Sequence, residues 1–317
     1  MLIGSRSTMF TEEGYQGLKF TALSAGSTVS MTKVGSPPSI SVQYSFNGRT
    51  WNSFDINSTS VTLSNVNDYV YFAAADNGNQ RFSDGTNYTH FSFTGAVKAS
   101  GNCMSLLDNT MQQDTLTASY SLGHVFYGTS SLVDASDMKL PCMNLCENAY
   151  ANMFKNCYNL SSVENLDLPA VIVPNTAYAE MFCECKSLKK AMRVIQGTTF
   201  NSYSCSKMFY DCILLSTAPE LCAVKFNGIA HFNEMFHYCK SLTAAPALPA
   251  KALGAYCYNY MFAGCTSLIS TPDFSHISSV TGADGCFRYT FSGCSQLKYA
   301  SDLPNLAPPY NYCSFMF

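Results

Sequence analysis

The chain has 317 residues, a formal net charge of −3 and only 12% charged side chains. That balance supplies neither the basic footprint of a nucleic-acid binder nor a basic membrane-binding stretch, and no apolar run reaches the roughly 18 residues that cross a bilayer. The 15 cysteines concentrate beyond residue 100, so length and composition together predict two domains of different character.

Residues 1–17 hold Gly4, Gly14 and Gly17 among polar residues without periodicity and read as a tail or linker. The start, Met1 to Phe10, lacks the basic region and apolar core of a secretion signal, which leaves either a removed signal or folding in the cytosol. Residues 18–100 change to short alternating runs rich in β-branched and aromatic residues, the pattern of antiparallel strands in a small β-sandwich. Ile40 to Phe46 and Thr50 to Phe54 flank Asn47-Gly48, a pair that suits a type I′ hairpin turn because both central residues need positive φ. Val61-Thr62-Leu63 and Tyr69 to Phe72 predict two more strands around a turn at Asn65 to Asp68, and His90 to Thr94 another. Trp51, the single tryptophan, reads as a core residue before a ligand-stacking one.

Ala99-Ser100-Gly101-Asn102 marks a boundary, and 101–317 is organised by a repeat. Met-Phe, or a variant of it, falls at Met153, Met181, Met208, Met235, Met261, Thr290 and Met316, with spacings of 28, 27, 27, 26, 29 and 26 residues. A weaker copy lies at Val125-Phe126, where Thr129 replaces the cysteine of Met-Phe-x-x-Cys. Such a period predicts a solenoid whose units cannot bury their cores alone, with 101–124 as its cap and the last repeat truncated at Phe317. Tyr258, Met261, Phe262 and Cys265 sit at offsets 0, 3, 4 and 7, one face of a short helix. The segment from Leu242 to Ala250 carries Pro246 and Pro249, which exclude a helix and suit a short edge-like strand and turn. The fold class predicted is therefore α/β: a leucine-rich-repeat solenoid with a short strand and short helix per coil, behind an all-β sandwich-like domain.

The phrases Met-Phe-x-x-Cys-x-Ser-Leu and Ala-Pro-x-Leu-Pro-Ala, between Met235 and Ala250, resemble the BspA-like branch of leucine-rich repeats. That resemblance spans about residues 120–317. It implies a right-handed solenoid and a role in adhesion or recognition, since the family is associated with surface proteins of gut and oral bacteria and with some of their phages. The period of 26–29 residues is longer than that family's usual repeat.

Few residues suggest chemistry. Cys157, Cys185, Cys212, Cys239, Cys265 and Cys294 recur once per repeat and predict a buried structural ladder of free thiols, each a small hydrophobe with a weak S–H donor. Cys183-Glu184-Cys185 and Cys142-x-x-x-Cys146 do not assemble the four ligands of a tetrahedral metal site. His90, His124, His231, His237 and His276 share no recurring spacing with a nucleophile, and phosphate loops and paired carboxylates are absent. No cofactor or metal is expected, and a polysaccharide-acting enzyme is the remotest alternative.

Candidate partner-binding positions come from the variable offsets. A basic spot gathers Lys186, Lys189, Lys190 and Arg193, and Tyr299 lies on the same outward strip. The two residues between Phe and Cys form a second strip, with Tyr210 and Asp211, then His237 and Tyr238, where Tyr beside a polar group suits sugar stacking or a protein interface. The reading is a non-enzymatic recognition or adhesion protein at a cell surface or outside the cell, binding a host protein or a cell-surface glycan. The alternative is a structural or receptor-binding part of a phage virion, such as a fibre or tail protein. No nucleic acid and no membrane insertion are expected, and a homo-oligomer or virion partner is compatible.

Overall fold

A computed structural model of the chain describes residues 10–11, 14–75, 78–280, 282–303 and 313–317. Of the 1–17 segment, residues 1–9 and 12–13 lie outside that set, while β1 (Phe10–Thr11) pairs antiparallel with β2 (Gly14–Tyr15). The remaining N-terminal strands are β3 (Lys19–Ala22), β4 (Ser27–Val34), β5 (Val42–Ser45), β6 (Asn52–Phe54), β7 (Val61–Leu63), β8 (Tyr69–Ala74), β9 (Tyr88–Thr94) and β10 (Val97–Asn102). With β11 (Leu132–Lys139) from the repeat region they build two sheets, ordered β11-β10-β3-β8-β5-β6 and β7-β4-β9.

The alternation of these strands explains the arrangement, because every second side chain points to the same face. Phe20 and Phe72 from the larger sheet meet Phe91 from the smaller at centroid separations of 4.8 and 5.1 Å. Asn47-Gly48 does not form a type I′ turn. Gly48 has φ 70° while Asn47 does not enter the left-handed region, and β5 and β6 pair only from Tyr44↔Asn52 outwards. The Asn47 side chain instead accepts from the N–H groups of Arg49 and Thr50, each at 2.8 Å, ordering a longer loop. The turn at Asn65 to Asp68 joins strands of different sheets, since β7 pairs with β4 and β8 with β3 and β5.

The repeat region overturns the α/β leucine-rich-repeat solenoid. Among the described residues there is no α-helix, only one 3₁₀ turn at Cys103–Leu106, and the strands fall into several separate sheets. The stretch around Met-Phe-x-x-Cys is a ribbon of hydrogen-bonded turns. Met261 N–H donates to Tyr258 O at 3.1 Å and Cys265 N–H to Phe262 O at 3.0 Å, bonds that close three residues back rather than four as in an α-helix. The alternate N–H groups leave the segment altogether. Tyr258, Tyr260, Phe262 and Gly264 donate to Cys286, Arg288, Thr290 and Ser292 of the next repeat, at 2.8–3.0 Å. Every fourth residue has positive φ, as at Tyr256 (55°), Tyr260 (53°) and Gly264 (72°), the conformation a type II turn requires at its third residue.

A four-residue backbone period places offsets 0, 3, 4 and 7 on one side as well as a helix does, so the apolar spacing fits both. The ribbon wins because its outward N–H groups find carbonyls one repeat away. A left-handed L-residue costs about 1–2 kcal/mol, offset here by those bonds and by burial of a Phe at each repeat, about 1.5–3 kcal/mol apiece.

The rest of each repeat is extended but scarcely regular. β12 (Ile172–Val173), β14 (Thr199–Phe200) and β16 (Lys225–Phe226) form one parallel sheet, and β13 (Val194–Ile195) pairs with β15 (Glu220–Leu221). Asp134, Ser162, Lys190 and Thr217 are linked by single parallel bridges. The proline-bearing stretch from Leu242 to Ala250 forms no strand, as Pro246 and Pro249 cannot donate to a ladder.

Candidate functional site

Two columns of side chains run through the interior of the repeats. Phe126, Phe154, Phe182, Phe209, Phe236, Phe262 and Phe291 stack ring on ring at 5.1–5.7 Å, with interplanar angles of 1–16°. Beside them each ladder thiol donates to the carbonyl of the Phe one repeat earlier: Cys157 to Phe126 at 2.9 Å, and Cys185, Cys212, Cys239, Cys265 and Cys294 to Phe154, Phe182, Phe209, Phe236 and Phe262 at 3.1 Å. Thr129, which stands in for the cysteine, makes the same bond to Phe91 O at 2.9 Å. All 15 cysteines are free thiols. Burial pushes Cys157 up to about 12 and Cys212 and Cys239 well above the usual thiol range, so these groups are neutral donors rather than nucleophiles.

On the outer edge of the same ribbon the left-handed positions and their neighbours form a continuous track. It begins with the ion pair of Lys155 and Glu180. Desolvation would lower the Lys155 amine, but the bond and charge of Glu180 outweigh it and raise it. Next come Lys207 and Glu234 at 3.6 Å, with Glu234 also 3.5 Å from His237 Nδ1. Burial alone would raise the Glu234 carboxyl; the His237 bond and Lys207 charge reverse that and hold it below the ordinary range.

From there the track is aromatic. Tyr210 lies 5.1 Å edge-on to His237, which stacks on Tyr238 at 4.1 Å and on Tyr260 at 5.6 Å. Tyr260 stacks on Tyr289 at 4.6 Å, and Tyr289 on Phe315 at 5.0 Å. Lys207 sits 5.7 Å over the Tyr210 ring and the Arg288 guanidinium 5.2 Å over Tyr289, within cation–π range. Tyr238 is 41% exposed and Phe315 66%, so ring faces or edges remain open to a partner along the row.

The structure thus joins Tyr210, His237 and Tyr238 into one surface and adds Lys207, Glu234, Tyr260, Arg288, Tyr289 and Phe315, which sequence reasoning missed. The missing signal was a column: the residue before each Met reads Asn152, Glu180, Lys207, Glu234, Tyr260, Tyr289 and Phe315, and that is the position aimed outward by positive φ.

The basic spot comes apart. Lys186 is claimed by Asp211 at 3.4 Å and Glu184 at 3.8 Å, and it also lies over Tyr158. Lys190 pairs with Glu164 at 3.0 Å. Lys189 and Arg193 are exposed and have no ion pair among the described residues, and Arg193 borders a shallow pocket of about 370 Å³ with Glu164 and Asp167. Tyr299 is 68% exposed and bridges to Ser270, apart from the aromatic track.

Trp51 is half-buried, edge-on to Tyr15 at 5.0 Å. Among the described residues no group of three or more His, Cys, Asp or Glu side chains could hold a metal ion, and no helix is long and apolar enough to cross a membrane. No family model, curated protein or solved structure matches the chain.

Proposed function

We propose that the protein is a non-enzymatic recognition molecule whose contact surface is the aromatic track, and that its partner is a protein or glycan displayed on a cell surface. The observation that carries this reading is the uninterrupted row from Tyr210 through His237, Tyr260 and Tyr289 to Phe315, flanked by Lys207 and Arg288. Rings already stacked on one another lose little rotamer freedom on binding, and Tyr with Arg supplies flat apolar area and hydrogen-bonding capacity together. The resemblance of the repeat phrases to BspA-like surface proteins points the same way. An adhesive role asks for no cofactor and no catalytic group.

A second reading, a receptor-binding component of a phage virion, is favoured by the free thiols, because virion parts fold in a reducing cytosol where thiols persist. Fractionation separates the two: the protein should co-purify with cell envelopes in the first case and with particles in the second.

The test of the recognition surface is binding of the purified chain to arrays of mammalian glycans and of extracellular matrix proteins. Tyr260→Ser and Tyr289→Ser together should weaken any captured partner at least tenfold, about 1.4 kcal/mol, with an unchanged unfolding midpoint. Binding that survives both substitutions removes the track as the contact surface.

A further inference from the structure

The outward face of the six-stranded sheet carries a cleft that shares no residue with the aromatic track. Alternation turns Phe20, Val70, Phe72, Val97 and Ala99 into the core, which leaves the intervening residues of four neighbouring strands on the opposite face. The registers set them side by side: Thr21 opposite Tyr69 and Lys98, Lys19 opposite Tyr71 and Ser100, and Ser100 opposite Asp137. Lys19, Thr21, Tyr71, Lys98, Ser100 and Asp137, together with Tyr15 and Lys139, line a cleft of about 490 Å³, and Tyr69 stands beside it against the Tyr71 ring.

Its chemistry is mixed in a specific way. Along one side runs a chain of rings, with Trp51 against Tyr15 at 5.0 Å, Tyr15 against Tyr71 at 5.3 Å and Tyr71 against Tyr69 at 5.5 Å. Tyr69 is 42% exposed, with the Lys19 amine 5.6 Å above its ring. Lys98 holds Asp137 at 2.5 Å and reaches Asp134 at 3.8 Å. Lys19 and Lys139 have no ion pair, and the hydroxyls of Thr21 and Ser100 no hydrogen bond, among the described residues. Three amines against two carboxylates leave a surplus of one positive charge at the site.

These features discriminate between ligand classes. A bare anion has no use for the ring row and would be repelled by Asp137. A nucleic acid needs a longer basic track than one surplus charge provides. A neutral sugar would leave Lys139 uncompensated. We propose that the cleft binds an acidic saccharide: the pyranose lies against Tyr69 and Tyr71, its hydroxyls meet Thr21, Ser100 and the Asp137 carboxylate, and its own carboxylate is taken by Lys19 and Lys139.

Isothermal titration of the full chain with trigalacturonate and with 3′-sialyllactose tests this, using maltotriose, lactose and inorganic phosphate as comparators. At least one acidic saccharide should bind, more weakly as salt rises, and the comparators should bind at least tenfold more weakly. Lys139→Ser and Tyr69→Ser alter exposed side chains, and each should weaken that binding about tenfold, while Lys251→Ser on the repeats should not. Equal binding of the neutral sugars or of phosphate overturns the proposal, as does failure of both acidic probes or indifference to both cleft variants. Loss of binding in the Tyr260→Ser and Tyr289→Ser variant would place the saccharide on the aromatic track instead and also overturn it.

Discussion

Phe91 in β9 and Phe182 in the repeats are both fully buried rings, yet they are held in different ways. Phe91 meets Phe20, Phe72, Phe93 and Phe126, from both sheets and the first repeat, at angles from 7 to 80°. Phe182 has two ring neighbours, Phe154 and Phe209, each at an interplanar angle of 9°. In the sandwich a core position is defined by several unlike elements brought together over long sequence separations. In the repeats it is defined by the same residue one period away, so one side-chain choice, made once and copied, fixes a whole column. Backbone strain follows the same division: the ribbon can hold Glu180, Lys207 and Tyr260 at φ between 53 and 56° because each neighbouring repeat holds the same shape and accepts its outward N–H groups.

The largest expected effect tests this contrast directly. Phe182→Ala and Phe91→Ala should each cost about 3–5 kcal/mol, measured as shifts in urea midpoint. Amide exchange should separate them, because Phe182→Ala loosens the repeats carrying Phe154 and Phe209 first, whereas Phe91→Ala loosens both N-terminal sheets. Uniform loosening in both variants would erase the distinction.

Acid should act through two buried histidines, both on the repeat side of the molecule. Burial depresses His124, with Lys155 adding to it, and depresses His231, each to about 4. The folded values lie below the unfolded value of about 6.5, so the unfolded chain binds more protons as pH falls. Their contribution is complete above about pH 6.5 and is lost on the way down to about pH 4, on the order of 3 kcal/mol each at most. The unfolding midpoint should therefore fall between pH 6.5 and 4.5, before carboxylates such as Asp84, held near 2 by the Asn87 and Thr86 amides, are protonated. A flat midpoint across that interval would mean that both rings take up protons in the folded protein as readily as in the unfolded chain.

A smaller effect belongs to the thiol column. Cys239→Ala removes a donor to Phe209 O and leaves a small void, at about 1–2 kcal/mol. Thiol titration should find few reactive groups in the native protein and close to 15 after denaturation without reductant. A denatured count near one would replace the free ladder with disulfides.

What the sequence made legible and what it hid follow from the same physics. The Phe and Cys columns could be read because a core column tolerates little variation, and Thr129 even announced its substitution for the cysteine. The helix reading failed because Tyr258, Met261, Phe262 and Cys265 satisfy a period of 3.6 and of four equally well. The left-handed column that separates the two is Gly at Gly264 and Gly293 and Asn at Asn156, but Glu, Asp or Tyr at Glu184, Asp211 and Tyr238, which masks the signal. The basic spot misled because the acids that neutralise Lys186 and Lys190 lie about one period away, at Asp211 and Glu164. The sheet cleft needed strand order, which local alternation does not carry.

The smallest effect is the most discriminating for the backbone. Glu184 sits at φ 60° where other repeats use Gly, so Glu184→Gly should be neutral or stabilising by up to about 1 kcal/mol, and Glu184→Val should be destabilising by about 1–2 kcal/mol. Inside a helix the glycine would instead cost about 1 kcal/mol relative to alanine.

The turn ribbon itself is tested most directly by far-ultraviolet circular dichroism of the folded protein. A chain whose repeats are cross-bonded turns and short strands should give a spectrum without the paired minima of the α-helix. A clear helical double minimum, lost in the same transition as tertiary structure, would contradict the ribbon and restore a helix to every repeat.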